Sequence, residues 1–475
     1  MTKTTTGRLP LIAALALSAA CMDTAAVKNF NSESVDGLIE NPTPAGIVTA
    51  TQGLMVAARA NMVGVFGYIA EYAFKGRETY TLDLATPGHV PESLLGPLRP
   101  EARNFWSEGY RGIKQGQAII KALESVAGIT DAQKAGVRGF AKTLQAYMLW
   151  KVIAAHDASG AVIEVAPEIS SATKPIVSRD EVYTYISSLL DEAQTELGNA
   201  GATFMFRLSP GFAGFDTPVT FVRVNRALKA RIEVYRGSFA GMPAGTANYN
   251  AALTAITASF ISMTTTTAAL NIGAFHTFTT NSGDVSNSLF DAAGTPAQPR
   301  VFFAHPSYET DAQLRADGVT RDLRYVTKIF KAATPRTQSN VTSDLGLRVY
   351  NSNTASIPII RNEDLILLRA EANLALGNRA AALADINHIR TVSGSLAAIA
   401  DPGDPGLMNE LVYNRRYSLL QEGHRWWDMR RWGRLADLPR DQPTHRIFSR
   451  LPIPLSECDA RADNRPAGCD PDNGI

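Results

Sequence analysis

The residues best equipped for chemistry lie near the C-terminus, where Glu422, Arg425, Asp428 and Arg431 follow one another at three-residue steps among Trp426, Trp427 and Trp432. Two carboxylates beside tryptophans are the raw material of glycoside hydrolysis, which needs one carboxyl protonated as the acid. Each carboxylate here has an arginine next to it, which favours the charged form and removes that acid. The pattern therefore reads as a structural ion ladder, in which residues three apart on a helix meet across successive turns through directional guanidinium–carboxylate bonds. Other chemistry is thin. The seven histidines (His89, His156, His276, His305, His388, His424 and His445) contain no i, i+4 pair. Asp385 with His388 and His424 with Asp428 share a helix face, but two ligands without a third make a hydrogen-bonded pair rather than a metal site. Asp157 beside His156 reads as a solvated helix end. Phosphate-cradling glycine loops and a G-x-S-x-G elbow are absent from the sequence. The expectation is a protein without catalytic residue, metal or cofactor.

The ladder needs an element to carry it. From Glu410 to Gly433 apolar residues recur at Leu411, Tyr413, Leu419, Leu420, Trp426, Trp427 and Trp432 with no proline, which predicts one helix ending at Gly433. Within it the run Arg415-Arg416-x-x-Leu419-x-x-Glu422-Gly423-His424-Arg425-Trp426-x-Asp428-x-x-Arg431-x-Gly433 resembles the C-terminal signature of the SusD/RagB family, with Asn414 and Ser418 where that family carries glutamates. Arg361-Asn-Glu-Asp-Leu365 through Glu371-Ala372 resembles a second family block, with Asp364 in place of Glu. The Leu451 to Glu457 segment adds a third match, and the resemblance extends over most of Gly46 to Glu457. It implies a surface lipoprotein that binds a nutrient oligomer, glycan or peptide, and passes it to a SusC-like TonB-dependent outer-membrane barrel.

The ends of the chain agree with export. Lys3 and Arg8 precede an apolar run from Leu11 to Ala20, the pattern of a secretory signal over residues 1–20. Ser18-Ala19-Ala20-Cys21 resembles a lipobox, which makes Cys21 the lipidation site, and multiple acyl chains would anchor the chain firmly. Residues 21–45, polar and turn-rich, read as a tether. Cys458 and Cys469 close a short loop in the terminal tail and are expected to form a disulfide; no second pair or neighbouring histidine suggests zinc. Lys and Arg total 46 against 45 Asp and Glu. Such near-neutrality argues against a polyanion such as DNA.

Between the ends the chain is organised in helix pairs. Gly136 to Ala155 pairs with Asp180 to Leu197, Val222 to Gly237 with Tyr249 to Phe260, and Glu363 to Leu376 with Arg379 to Val392 across the Gly377-Asn378 turn. Small alanines at such crossings permit close approach, as in tetratricopeptide hairpins, although no strict 34-residue period is present. Val48 to Phe74 and Glu101 to Glu124 also read as helical, with an exposed loop over Lys75 to Pro100 between them. Residues 261–356 break the rhythm with Thr- and Gly-rich turns, including Gly294 to Pro299. The expected fold is mainly α, a tetratricopeptide-like single domain over 46–475 with 261–356 as an irregular ligand-side insertion. By the family resemblance, loops from both halves carry the ligand, and aromatic faces suit sugar rings. The candidates are Tyr80, Trp106, Phe303 and Tyr308, with core packing the competing reading for each. Two readings compete with nutrient capture: an envelope scaffold that binds other proteins, and an enzyme that cleaves glycans with Glu422 or Asp428.

Overall fold

A computed structural model describes residues 35–83, 85–86, 88–98, 105–167, 173–241, 244–291 and 301–475. The 1–20 leader, Cys21 and the Gly294 to Pro299 turns lie outside these residues.

Helices of seven or more residues are numbered here α1 to α11: α1 Pro44–Ala58, α2 Tyr68–Lys75, α3 Phe105–Ala122, α4 Asp131–His156, α5 Arg179–Gly198, α6 Pro218–Ala240, α7 Thr246–Thr257, α8 Asn362–Ala375, α9 Arg379–Val392, α10 Gly403–Ser418 and α11 Arg425–Arg431. Their starts are encoded locally. Thr130 with Gln133, Ser178 with Glu181 and Thr217 with Thr220 each form a reciprocal capping box, which satisfies backbone N–H groups that have no partner within the helix.

The helices pack in sequence, α3 on α4, α4 on α5, α5 on α6 and α6 on α7, and α8 then lies against α7, α9 and α10. One extended core runs through this array. Gly112 permits the close α3–α4 approach, because a Cβ there would collide with Met148 Sδ. The chain is thus mainly helical, and its helix pairs fall where periodicity placed them. The stretch from Val48 to Phe74 differs: positive φ at Asn61 and Gly64 splits it into α1 and α2. The end of the expected tether is also structured, with Val35–Glu40 helical and Leu38 in the core.

Two small sheets interrupt the helices. β1 Thr79–Thr81, β3 Phe302–Ala304, β4 Ile329–Gln338 and β5 Val341–Leu347 form an antiparallel sheet in the order β1-β3-β5-β4. β2 Gly273–His276 pairs with β6 Ile357–Arg361. The expected exposed loop over Lys75 to Pro100 instead contains β1, whose three residues are fully buried, and the largely buried helix His89–Leu94. Its Thr and Tyr residues are sheet formers, and Phe74, Val90, Leu94 and Phe303 cover them.

The tail docks back on the array. Leu451 N donates to Ala155 O at 2.9 Å and Ile453 N to Gly468 O at 2.9 Å. Cys458 and Cys469 are joined in a buried disulfide with Cα atoms 5.9 Å apart. No helix among the described residues is long and apolar enough to cross a membrane.

Candidate functional site

The four residues of the expected ladder are not on one helix. α10 stops at Ser418, and positive φ at Gln421 and Gly423 turns the chain before α11 begins at Arg425. Glutamine tolerates that conformation less well than glycine, so the turn rests on packing as much as on local preference. The turn separates the charges. Asp428 keeps its Arg431 rung, at 2.9 Å, while Arg425 donates to the backbone oxygen of Gly76 at 3.1 Å and Glu422 is carried to another neighbourhood.

Asp428 belongs to a sealed network. Arg415 bridges it at 2.7 Å to Asp364 at 3.0 Å, Arg231 meets Asp364 at 2.8 Å, and Arg431 also pairs with Glu371. Aromatic faces close it off, with Trp150 beneath Arg231 and Tyr235 beneath Arg431. Burial alone would raise the Asp428 carboxyl, but Arg415 and Arg431 hold it below the usual range. His424 beside it is pushed down to about 3 by burial, against the pull of Asp364, and stays neutral. A general acid is therefore not available at Asp428. Among the described residues no group of three His, Cys, Asp or Glu is arranged to hold a metal.

Glu422 instead forms part of the floor of a cleft of about 470 Å³. Arg361, at the end of β6, donates to Glu422 at 2.8 and 3.1 Å and to the backbone oxygen of Ser418 at 2.7 Å, and it pairs with Glu363. Glu363 stands in the first turn of α8, where the helix dipole favours an anion. Ser393 and Ser418 each donate to its Oε1 at 2.5 Å. Burial opposes its ionisation, but Arg361 and Lys328 bring its carboxyl down to about 2.

Two further cations complete the floor, both from the short helix Leu323–Lys328. Lys328 donates to the backbone oxygens of Tyr417 and Ser418 at 2.9 and 2.5 Å, and burial with Arg361 nearby pushes its ammonium down to about 8. Arg324 is forked onto Asp322 at 2.5 and 3.0 Å and reaches Ser418 Oγ at 2.9 Å.

Above this floor the lining changes character. Thr267, Asn271, Thr327, Asn351 and Ser356 stand exposed at the rim, with Phe275, Val349 and Pro358 as half-buried apolar wall. Phe275 opposes Pro358 at a β-bulge, a device that re-aims a strand's side chains. Tyr350 closes the back, its hydroxyl donating to Gln421 O at 2.8 Å. Thirteen of the 18 lining residues come from 261–356. Hydroxyls and amides at the rim, an apolar wall and a fixed polar floor can orient a hydroxylated ligand without reacting with it. Elsewhere, a pocket of about 190 Å³ lies on the Phe275–Thr277 side of β2, and a groove of about 530 Å³ lies between 173–176 and the tail.

The aromatic candidates are not among the cleft's lining residues. Tyr80 and Phe303 face each other across β1 and β3 and are 0% and 2% exposed; the Tyr80 hydroxyl donates to Asp441 at 2.5 Å. Trp106 is 3% exposed, edge-on to His156. Tyr308 is fully buried, donating at 3.3 Å to Glu78, whose carboxyl burial raises to about 8. All four rings are covered on both faces by core packing, so the expected open aromatic platform is not formed by them. Of the cleft residues the sequence singles out only Glu422 individually, and as a rung of the ladder; the irregular 261–356 region and the Arg361 to Leu365 block give the regional signal, while the partners of the floor lie tens of residues apart in sequence.

Residues 329–465 match the SusD family model. A SusD-like protein of Formosa agariphila is 30% identical over 132 residues, a match covering 25% of this chain and 25% of that relative's length. A SusD-like carbohydrate-binding protein from Bacteroides fragilis shares the fold with a TM-score of 0.66 at 14% identity, over 88% of this chain and 98% of its own. Surface glycan-binding protein A from Bacteroides thetaiotaomicron, solved with laminarihexaose, aligns over 91% of this chain and 100% of its own with a TM-score of 0.65 at 14% identity. At such identities these two structures establish likeness of fold.

Proposed function

Because the chain belongs to the SusD/RagB family, we propose that it is an outer-membrane lipoprotein, anchored through Cys21 and facing outward, that captures an oligomeric glycan and delivers it to a SusC-like TonB-dependent barrel. Its work is binding and hand-over, with no bond made or broken. The observation that carries this reading is the cleft, whose rim of Thr, Asn and Ser side chains and whose Phe275 wall match the two surfaces of a sugar, hydroxyl edge and C–H face. The fold shared with a protein solved with laminarihexaose favours glycan over peptide. Glu422, which a glycan-cleaving reading would use, is engaged by Arg361 through both of its oxygens.

The test is recovery of partners from detergent-solubilised outer membranes with the tagged, lipidated full chain, with Cys21→Ala as the unanchored control. Co-purification of a TonB-dependent barrel supports the uptake role. Failure to recover one from membranes shown to contain it overturns the delivery reading and favours the envelope scaffold.

A further inference from the structure

The charges of the cleft floor carry an inference about what the cleft accepts. Three cations and three carboxylates meet there, Arg324, Lys328 and Arg361 against Asp322, Glu363 and Glu422, and both guanidiniums are paired with carboxylates. Arg324 is forked onto Asp322, and Arg361 is held between Glu422 and Glu363. Lys328 is the one without a carboxylate in bonding distance. It donates instead to the carbonyls of Tyr417 and Ser418, at the C-terminal end of α10, where the helix dipole presents negative charge. Arg361 shares that end through Ser418 O.

An anionic sugar, a uronate or a sulfate ester, is recognised by a cation with donors to spare, commonly in a bidentate bond. Here Arg324 and Arg361 are committed to carboxylates and Lys328 spends two of its three N–H donors on carbonyls, so an incoming anion would meet Glu363 and Glu422 in a largely buried floor, where like charges repel with little screening. The rim is of the opposite kind: Thr267, Asn271, Thr327, Asn351 and Ser356 are uncharged. Their hydroxyls and amides serve as both donors and acceptors, the complement of a sugar hydroxyl.

We infer that the cleft selects uncharged glycans and excludes uronate-bearing and sulfated ones, an inference that rests on the glycan reading and refines it. The charged floor acts as a rigid, self-neutralised base, and the exposed neutral rim makes the contacts.

The experiment is titration of the full-length lipoprotein in detergent with two panels: laminarin, mannan and xyloglucan as neutral probes, and polygalacturonate, alginate and chondroitin sulfate as acidic ones, each at low and at moderate salt. The expected result is a neutral probe bound at least about tenfold tighter than any acidic one, a difference of about 1.4 kcal/mol. Its affinity should change less than about twofold between 20 and 300 mM NaCl, because no net charge is neutralised on binding. Asn351→Ala and Phe275→Ala, both at the rim or wall, should weaken it about tenfold, and Glu422→Gln, which releases half of the Arg361 clamp, should narrow the gap between the panels. Tight, salt-sensitive binding of an acidic probe that Asn351→Ala or Phe275→Ala weakens would overturn the inference while leaving the glycan reading standing. A neutral probe bound with unchanged affinity by both variants overturns the assignment to this cleft. Binding of neither panel overturns the glycan reading, and this inference with it.

Discussion

Two charge clusters each draw on the segment from Arg415 to Arg431, and they differ in access rather than in composition. The network of Arg231, Arg415 and Arg431 with Asp364, Asp428 and Glu371 balances three cations against three carboxylates, as does the cleft floor of Arg324, Lys328 and Arg361 with Asp322, Glu363 and Glu422. The first is shut in by Trp150, Tyr235 and Trp432, and its side chains keep at most 5% of their surface. The paired side chains of the second keep at most 8%, but most of them line an open cleft of about 470 Å³. Charge pairing thus tells nothing about function until burial is known: the sealed cluster fixes how α6, α8, α10 and α11 dock, and the open one gives a site its floor.

The largest expected difference comes from breaking the sealed cluster. Asp428→Asn strips Arg415 and Arg431 of a shared partner in a site that water cannot reach. It should cost about 3–5 kcal/mol in chemical denaturation, as removal of one partner of a buried pair does. Glu422→Gln, at the edge of the cleft, should cost clearly less; equal losses would erase the contrast between the clusters.

Acid provides the next test. Glu363 has its carboxyl at about 2 in the folded chain against an ordinary value near 4.5, so its contribution is complete above about pH 4.5 and is lost as pH falls towards 2. His156 and His424, held neutral by burial at about 4 and about 3, act earlier: their contribution is complete above about pH 6.5 and declines as pH falls through those values. Denaturation midpoints should therefore drop already between pH 6.5 and 4, and His424→Gln should flatten that limb. A midpoint constant from pH 7 to 4 would contradict the assignment of neutral, buried imidazoles.

Removing the tail disulfide should have a smaller effect. With the bonded positions separated by 11 in sequence, Cys458→Ser with Cys469→Ser should lower stability by about 2–3 kcal/mol by releasing the unfolded tail, with ligand affinity unchanged. The smallest stability change is expected at the cleft wall, where Phe275→Ala should cost about 1–2 kcal/mol because its ring is only half buried, yet weaken ligand binding about tenfold. Trp106→Ala should show the inverse, several kcal/mol of stability and no specific loss of affinity.

Much of the fold was legible because helix pairing is written in 3.6-residue periodicity and in local caps such as Thr130/Gln133 and Ser178/Glu181. The ladder was misplaced for a local reason with a non-local cause: nothing between Ser418 and Arg425 except Gly423 marks a stop, and the left-handed Gln421 is held by the surrounding packing. The aromatic candidates failed differently. Tyr80, Trp106, Phe303 and Tyr308 carry no sign of which side is covered, and the cover comes from Phe74, His156, Val90 and Arg416, scattered along the chain.

By itself, then, the sequence determined the helical class, the helix pairs, the family signature between Arg361 and Gly433 and the spacing that lets Cys458 meet Cys469. These depend on neighbours within a few turns or on residue type alone. Which charges are sealed and which open, and which rings are core, was decided only in the tertiary structure, because solvent access is a property of what packs above a side chain. Arg361 shows it most directly: adjacent in sequence to the helix start that holds Glu363, it becomes part of a cleft only when Glu422 and Lys328 arrive from 61 positions later and 33 positions earlier.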